Sequence, residues 1–329
     1  MRAPRGRWTS LDAMRALALF GMVAHHVATW TSGQVRQRWI GFEDFAVTDL
    51  AAPMFAIGVG AAAYLVGTRV VTDVHPARVA ISVVGKWIKV LLLAMGLELA
   101  VQGRLDGGGV LYTLFVVGLA TTALVAVGLR SGWAWWAIAA GGAALAGPAT
   151  HAPGRAVGAL DQLWSGNFAV TTYLAFAAAG AAVTAMAGRG GEAALPLWRA
   201  TAGVLAGGTL LSFVAPSTAP DGIWPPSRHP GDLAFSVWGM AGTFAVWAVL
   251  RAVLRGGPVT DGLVRAGQRT LLVFALHYCI RIVMGRAGLL STLDTRGWGL
   301  ATWGVIIAIC LASTMPKPTW VQRRGPTVT

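Results

Sequence analysis

An acid, an arginine and two adjacent histidines lie within the first long apolar segment of the chain, residues 10–30. Titratable side chains lose their hydration in a bilayer, so each needs a polar partner or a water-filled cavity, and such groups are functional by default. Arg15 and His26 are eleven residues apart, which places them on one helical stripe about 16 Å apart. His25 lies about 80° round from Arg15. We therefore expect Arg15 and His26 to face one polar site, with His25 on its flank.

The alternative for this segment is a retained signal anchor, because it follows a basic start and has no small-residue cleavage site. Thr9 and Asp12 have the spacing of a capping box, and an acid in the first turn suits the positive end of a helix. This alternative explains Asp12 and Arg15 as cap and interface residues. It gives no reason for two histidines near the far end.

Asp49 opens the second apolar segment, in the run VTDLAAPMF. The first helix runs outward and the second returns, so Asp49 is expected near the depth of His26. Pro53 has no N–H group, so it would free the carbonyl of Asp49 and open a polar gap in the helix. The alternative is that Asp49 only caps the helix at the membrane interface.

His277 and Arg281 lie one turn apart on the ninth apolar segment, on the same predicted helix face. Two polar groups on an otherwise apolar helix indicate a site inside a helix bundle. The alternative is a buried histidine that bonds to a neighbouring helix. Glu98 and Tyr112 are secondary candidates in the outer half of the membrane.

Lys86 and Lys89 lie on the third segment, in its inner half and close to Arg78. Long basic side chains can reach the cytoplasmic surface and hold lipid phosphates, which is one interpretation. The other is a cationic mouth for a phosphorylated cytosolic cofactor, whose phosphates need dispersed positive charge.

The composition predicts an all-α protein that crosses a membrane about ten times. Of the 329 residues, 55% are hydrophobic and only 12% are charged, against about a quarter in soluble domains. Stretches of about 20 apolar residues recur throughout. The predicted spans are residues 10–30, 45–67, 79–101, 109–129, 132–146, 167–186, 197–215, 233–254, 270–290 and 297–315.

The basic residues predict the orientation. The net charge is +13, but the basic residues do not form a nucleic-acid-binding module, so we expect no nucleic acid partner. Thirteen Lys and Arg lie on the side of the N-terminus and six on the other side, which predicts a multi-pass cell-membrane protein with both termini in the cytoplasm. The whole chain, 1–329, is then one transmembrane domain with short tails, 1–9 and 316–329. The two cysteines have no metal-ligand spacing, so no metal is expected.

At these residues the sequence resembles membrane acyltransferases of the heparan-α-glucosaminide N-acetyltransferase type, and more loosely the acyltransferase-3 family. The motifs are SLDAMRALALFGMVAHH in the first helix, DLAAPMF from Asp49, GVL from Gly109, and GQRTLLVFALH, which ends at His277. The likeness covers about four helices. One departure stands out, because Trp39 occupies the position of the acetyltransferase type's active-site histidine, ten residues before the aspartate.

The resemblance implies a membrane acyltransferase that uses cytosolic acyl-CoA, with acetyl-CoA as the expected donor, to acylate a hydroxyl or amine of a sugar, a lipid-linked or a small-molecule acceptor. A histidine can deprotonate the attacking group and an arginine can stabilise the developing oxyanion. We therefore assign His26 as the general base, Asp49 as its orienting partner, His277 as a second proton-transfer or acyl-positioning group, and Arg15 as an electrostatic contact. Arg78, Lys86 and Lys89 are assigned to the CoA phosphates.

Three other classes of protein stay open at this point. A transporter or permease also carries Asp, His and Arg inside the membrane. A non-catalytic relative is consistent with Trp39 in place of the histidine, and a membrane cyclase could use an acid to protonate a polyene. Membrane lipid is an expected partner, while the acceptor and the oligomeric state, including a homo-oligomer, are not determined by the sequence.

Overall fold

The computed structural model describes residues 8–30, 41–42, 45–73, 75–103, 105, 109–150, 169–214, 233–288 and 304. These residues are helical apart from short connections and one antiparallel ladder, in which Gly41–Phe42 pairs with Phe45–Ala46. Two 3-10 segments, Val47–Leu50 and Gly188–Ala194, precede α2 and α7. The described ranges contain ten α-helices: α1 (Thr9–Trp30), α2 (Ala51–Thr72), α3 (Pro76–Gln102), α4 (Val110–Ala126), α5 (Gly132–Thr150), α6 (Val170–Ala187), α7 (Leu197–Val214), α8 (Leu233–Val253), α9 (Pro258–Gln268) and α10 (Thr270–Arg286).

The predicted all-α fold is confirmed, whereas the prediction of about ten membrane spans is not. Four helices are long and apolar enough to cross a membrane, namely α2, Pro76–Val101 of α3, α6 and α8. Two further apolar helices, α4 and Thr270–Met284 of α10, are shorter. The charged and histidine side chains of α1 lower its apolarity. The predicted last span, 297–315, lies outside the described residues.

The second predicted span begins later than expected, because its first residues form the ladder and a 3-10 turn. Asp49 lies in this turn, and Pro53 is the third residue of α2. The first four N–H groups of a helix have no partner within the helix, so a proline here removes no helical hydrogen bond. The polar gap that we predicted at Pro53 is therefore a normal helix start.

Close contact between α2 and α6 forms the centre of the bundle. A side chain on Gly60 would overlap the carbonyl of Ala177, and one on Gly180 would overlap the carbonyl of Ile57. Small residues such as the glycine and alanines of α6 let membrane helices approach this closely. Phe176 of α6 is fully buried in the same core.

Helix α9 packs along the start of α1 and was not predicted, because its 11 residues lie in an expected cytoplasmic loop. Gly267, near its end, lies against the backbone carbonyl of Asp12, where a larger residue would clash. The start of α1 is also held by Glu192, whose carboxylate accepts hydrogen bonds from the backbone N–H groups of Thr9 (2.9 Å) and Ser10 (2.6 Å). The helix cap thus comes from a distant segment.

Candidate functional site

A cavity of about 730 Å³ lies between α1, α2, α3, α4 and α10. Its wall includes three of the residues predicted to be catalytic, Arg15, His26 and Asp49. It also includes Lys86 and Lys89, which were assigned to a phosphorylated cofactor. Predicted residues from α1, from α3 and from the turn before α2 therefore meet at one place.

His26 and His277 form the closest polar contact of the site. Nδ1 of His26 lies 2.9 Å from Nε2 of His277, and the two rings stack with their centroids 5.2 Å apart. His277 is fully buried, whereas His26 is half-buried and faces the cavity. Tyr278 lies edge-on to His26 at 5.4 Å between centroids. One nitrogen of this pair donates a proton and the other accepts it, so the rings can hold each other in one orientation.

The structure places Asp49 beside His25. Its Oδ1 atom is 3.9 Å from Nδ1 of His25, and its side chain is buried at 6% exposure. Helical geometry predicted His25 on the flank of the stripe, and the turn before α2 packs against α1 beside this residue. The acid therefore contacts the histidine that we expected to be peripheral, and His25 also lines the cavity.

Arg15 lies at the other end of the α1 stripe. Its Nη1 atom is 3.7 Å from Oδ1 of Asp12, one turn earlier on the same helix. Its aliphatic part packs over Gly58 of α2, where a Cβ atom would come within 3.1 Å of Cγ of Arg15. Asp12 is thus an ion-pair partner in the first turn of α1, while the cap is supplied by Glu192.

The two lysines reach the cavity from α3, and Arg78 does not line it. Lys86 and Lys89 are exposed residues that also line the cavity, so we place them at its rim. Between them, Trp87 lines the wall and packs its ring over Gly118 of α4. Arg78 is exposed near the start of α3, about two turns before Lys86.

Two lining residues, Phe274 and Tyr278, were not singled out from the sequence, whereas Arg281 was noted there together with His277. Phe274, Tyr278 and Arg281 line the cavity from α10, and the guanidinium of Arg281 lies 6.0 Å from the centre of the Tyr278 ring. Their spacing of four and three residues repeats once per helical turn, which is a signal that the sequence does contain. His277 lies on the neighbouring stripe, behind His26.

Glu98 and Tyr112, the secondary candidates, form a pair of their own outside the cavity. The hydroxyl of Tyr112 donates a hydrogen bond to Oε2 of Glu98 at 2.7 Å, and Glu98 is buried. This contact joins α3 to α4. It links the C-terminal part of α3 to the start of α4.

The site thus combines a histidine pair, a histidine and carboxylate pair, and several cations around one cavity. Among the described residues, no group of three His, Cys, Asp or Glu side chains could hold a metal ion. Trp39, the departure from the acetyltransferase motif, lies outside the described residues. No protein-family model and no curated protein matches this chain.

Proposed function

We propose that this protein is a membrane-embedded acyltransferase. It moves an acyl group, with acetyl as the expected group, from cytosolic acyl-CoA to a hydroxyl or amine of a sugar, a lipid-linked or a small-molecule acceptor. The observation that carries this proposal is the 2.9 Å contact between His26 and His277 beside a cavity with two lysines at its rim. The pair provides a base, and the lysines provide charge for phosphates.

His26 acts as the general base in this proposal. When its Nδ1–H group donates to Nε2 of His277, its Nε2 atom carries the lone pair that accepts a proton. His26 removes the proton from the acceptor, whose oxygen or nitrogen attacks the thioester carbonyl carbon. The bond from this carbon to sulfur then breaks, and His26 returns the proton to the leaving thiolate. His277 keeps the His26 ring in place throughout.

The charges around the cavity support a phosphorylated donor. Lys86, Lys89 and Arg15 all line the cavity, so positive charge is spread over three side chains. Dispersed cations suit a pyrophosphate and a ribose phosphate better than a single residue does. The apolar wall that includes Trp87 and Val90 suits the uncharged arm of the donor.

The test compares the two neighbouring histidines. Purified protein in detergent is incubated with labelled acetyl-CoA and a membrane or cell-wall extract, and CoA release and label transfer are measured. His26→Ala should lower turnover by roughly 10²-fold or more while CoA still binds, as expected for a general base. His25→Ala should cost less than about tenfold, because the histidine that contacts His277 in the pair is His26. Equal losses at both positions, or none at either, would refute the assignment.

A transporter is the second candidate, and one observation favours it. The cavity reaches from Arg15 to Arg281 and so continues past the histidine pair. Intramembrane histidines and acids are also common in proton-coupled transport. Protein in liposomes that carries a proton current but releases no CoA from acetyl-CoA would favour this candidate over acyl transfer.

We also propose that the protein lies in the cell membrane with both termini in the cytoplasm. The proposal is supported by the excess of Lys and Arg on the side of the N-terminus. In a variant without Cys279 and Cys310, a cysteine at position 155 should react with an impermeant reagent on intact cells. A cysteine at position 329 should react only after lysis. The reverse pattern would overturn this orientation.

A further inference from the structure

The cavity has two ends, because α1 and α10 run in the same direction along it. Gly267, just before α10, lies against Asp12 at the start of α1, and His277 contacts His26 near the end of α1. Arg15 is eleven residues before His26, about 16 Å back along the axis. Arg281 is four residues after His277, about 6 Å forward. The two arginines therefore lie on opposite sides of the histidine pair.

The lysines lie at the Arg15 end. Helix α2 runs opposite to α1, since Ala51 is beside Gly21 and Gly58 is beside Arg15. Only three residues separate the end of α2 from the start of α3, so α3 begins at the same side of the bundle. Lys86 is ten residues into α3 and Ala62 is ten residues from the end of α2, so both lie about 15 Å from that side. Ala62 and both lysines line the cavity.

Arg281 is therefore separated from the other three cations that line the cavity. Four lining side chains are cationic, and one, Asp49, is acidic. Phe274 and Tyr278 continue the wall from Arg281 back past the histidine pair. A cation at the end of an aromatic wall, beyond the base, suits a ligand with an acidic head and an apolar body.

We infer that Arg281 forms an anion-binding subsite for the acyl acceptor, and that the acceptor is an amphiphile with an acidic group, a phosphate or a carboxylate. This inference rests on the proposed acyl transfer, which assigns the opposite, lysine-bearing end to the donor. Donor and acceptor then approach the histidine pair from its two sides. An arginine can bind either acidic group through two parallel hydrogen bonds, which also orients the acceptor.

Equilibrium binding to purified protein tests the subsite directly. The probes are tritiated geranyl phosphate for a phosphate head and tritiated octyl glucuronide for a carboxylate head, with octyl glucoside as the uncharged competitor. We expect wild-type protein to bind at least one acidic probe, and the one that binds identifies the head group. Arg281→Gln should weaken this binding about tenfold or more, and Arg281→Lys should retain part of it.

Arg286→Gln is the matched control, because Arg286 is exposed on the same helix and does not line the cavity. It should change the affinity less than twofold. Equal competition by octyl glucoside, binding of neither acidic probe, or equal losses in Arg286→Gln and Arg281→Gln would overturn the subsite. CoA binding is measured on the same samples. Acidic-probe binding that depends on Arg281 without any CoA binding would instead overturn the proposed acyl transfer, and with it the role of the anion as acceptor.

Discussion

Helices α6 and α3 are both apolar enough to cross a membrane, but they differ sharply in packing. In α6, 78% of the apolar stretch is buried against the rest of the chain, compared with 11% in α3. Half of the residues of α6 are alanine or glycine, and the helix contacts α2 backbone to backbone. Helix α3 exposes large side chains such as Ile81 and Leu92, and it also carries the two lysines of the cavity.

This difference indicates separate roles for the two helices, with α6 stabilising the fold and α3 contacting a ligand. In a bilayer the lipid is as apolar as a leucine side chain, so helix association depends on close packing rather than on removal from water. The centre around α6 supplies that packing. Helix α3, at the edge, can present charged side chains to a ligand because few of its residues are needed for packing. We therefore expect substitutions in α6 to affect folding and substitutions in α3 to affect binding.

The largest effect is expected for Gly180→Leu in α6. Any side chain there would overlap the carbonyl of Ile57, so the α2–α6 contact cannot form. We expect almost no folded protein to be recovered after detergent extraction, measured as the monodisperse peak in size-exclusion chromatography. Gly203→Leu in α7 is the control, because a Cβ atom at Gly203 meets nothing within 4 Å. Similar recovery of both variants would contradict the central role of this contact.

Truncation of a large side chain should be costly in α6 and nearly neutral in α3. Phe176 is fully buried, so Phe176→Ala leaves a cavity and should lower the free energy of unfolding by about 3 kcal/mol. Leu92 is 60% exposed, so Leu92→Ala should change it by less than about 0.5 kcal/mol. Unfolding by sodium dodecyl sulfate titration of purified protein measures both. A large loss in Leu92→Ala would mean that another protein surface covers α3.

The smallest effect on folding, with a clear effect on binding, is expected for the double variant Lys86→Gln and Lys89→Gln. CoA affinity should fall about tenfold at low salt, equivalent to about 1.4 kcal/mol, and the difference should shrink at high salt. The free energy of unfolding should stay within about 0.5 kcal/mol of the wild-type value. Arg78→Gln, outside the cavity wall, should weaken CoA binding less. Unchanged CoA affinity in the double variant would favour the role of the lysines as lipid anchors.

Much of the site could be predicted from helix periodicity and chain direction. The eleven-residue spacing placed Arg15 and His26 on one stripe, and both line the cavity. The reversal between α1 and α2 brought Asp49 to the depth of the histidines. Helix α9 was missed because a search for membrane-length apolar stretches ignores an amphipathic helix of 11 residues.

By itself, the sequence determined that the protein is a helical membrane protein with titratable groups at defined heights on α1, α3 and α10. Periodicity and hydropathy are local properties, so they can be read from the sequence without knowledge of the fold. Only the tertiary structure decided which groups meet. It brought His26 into contact with His277, which is 251 positions away in the sequence, and placed Asp49 beside His25. The physical reason is that helix packing depends on the fit between whole surfaces, here the glycine contacts of α2 with α6 and of α1 with α9, and no local pattern encodes that fit.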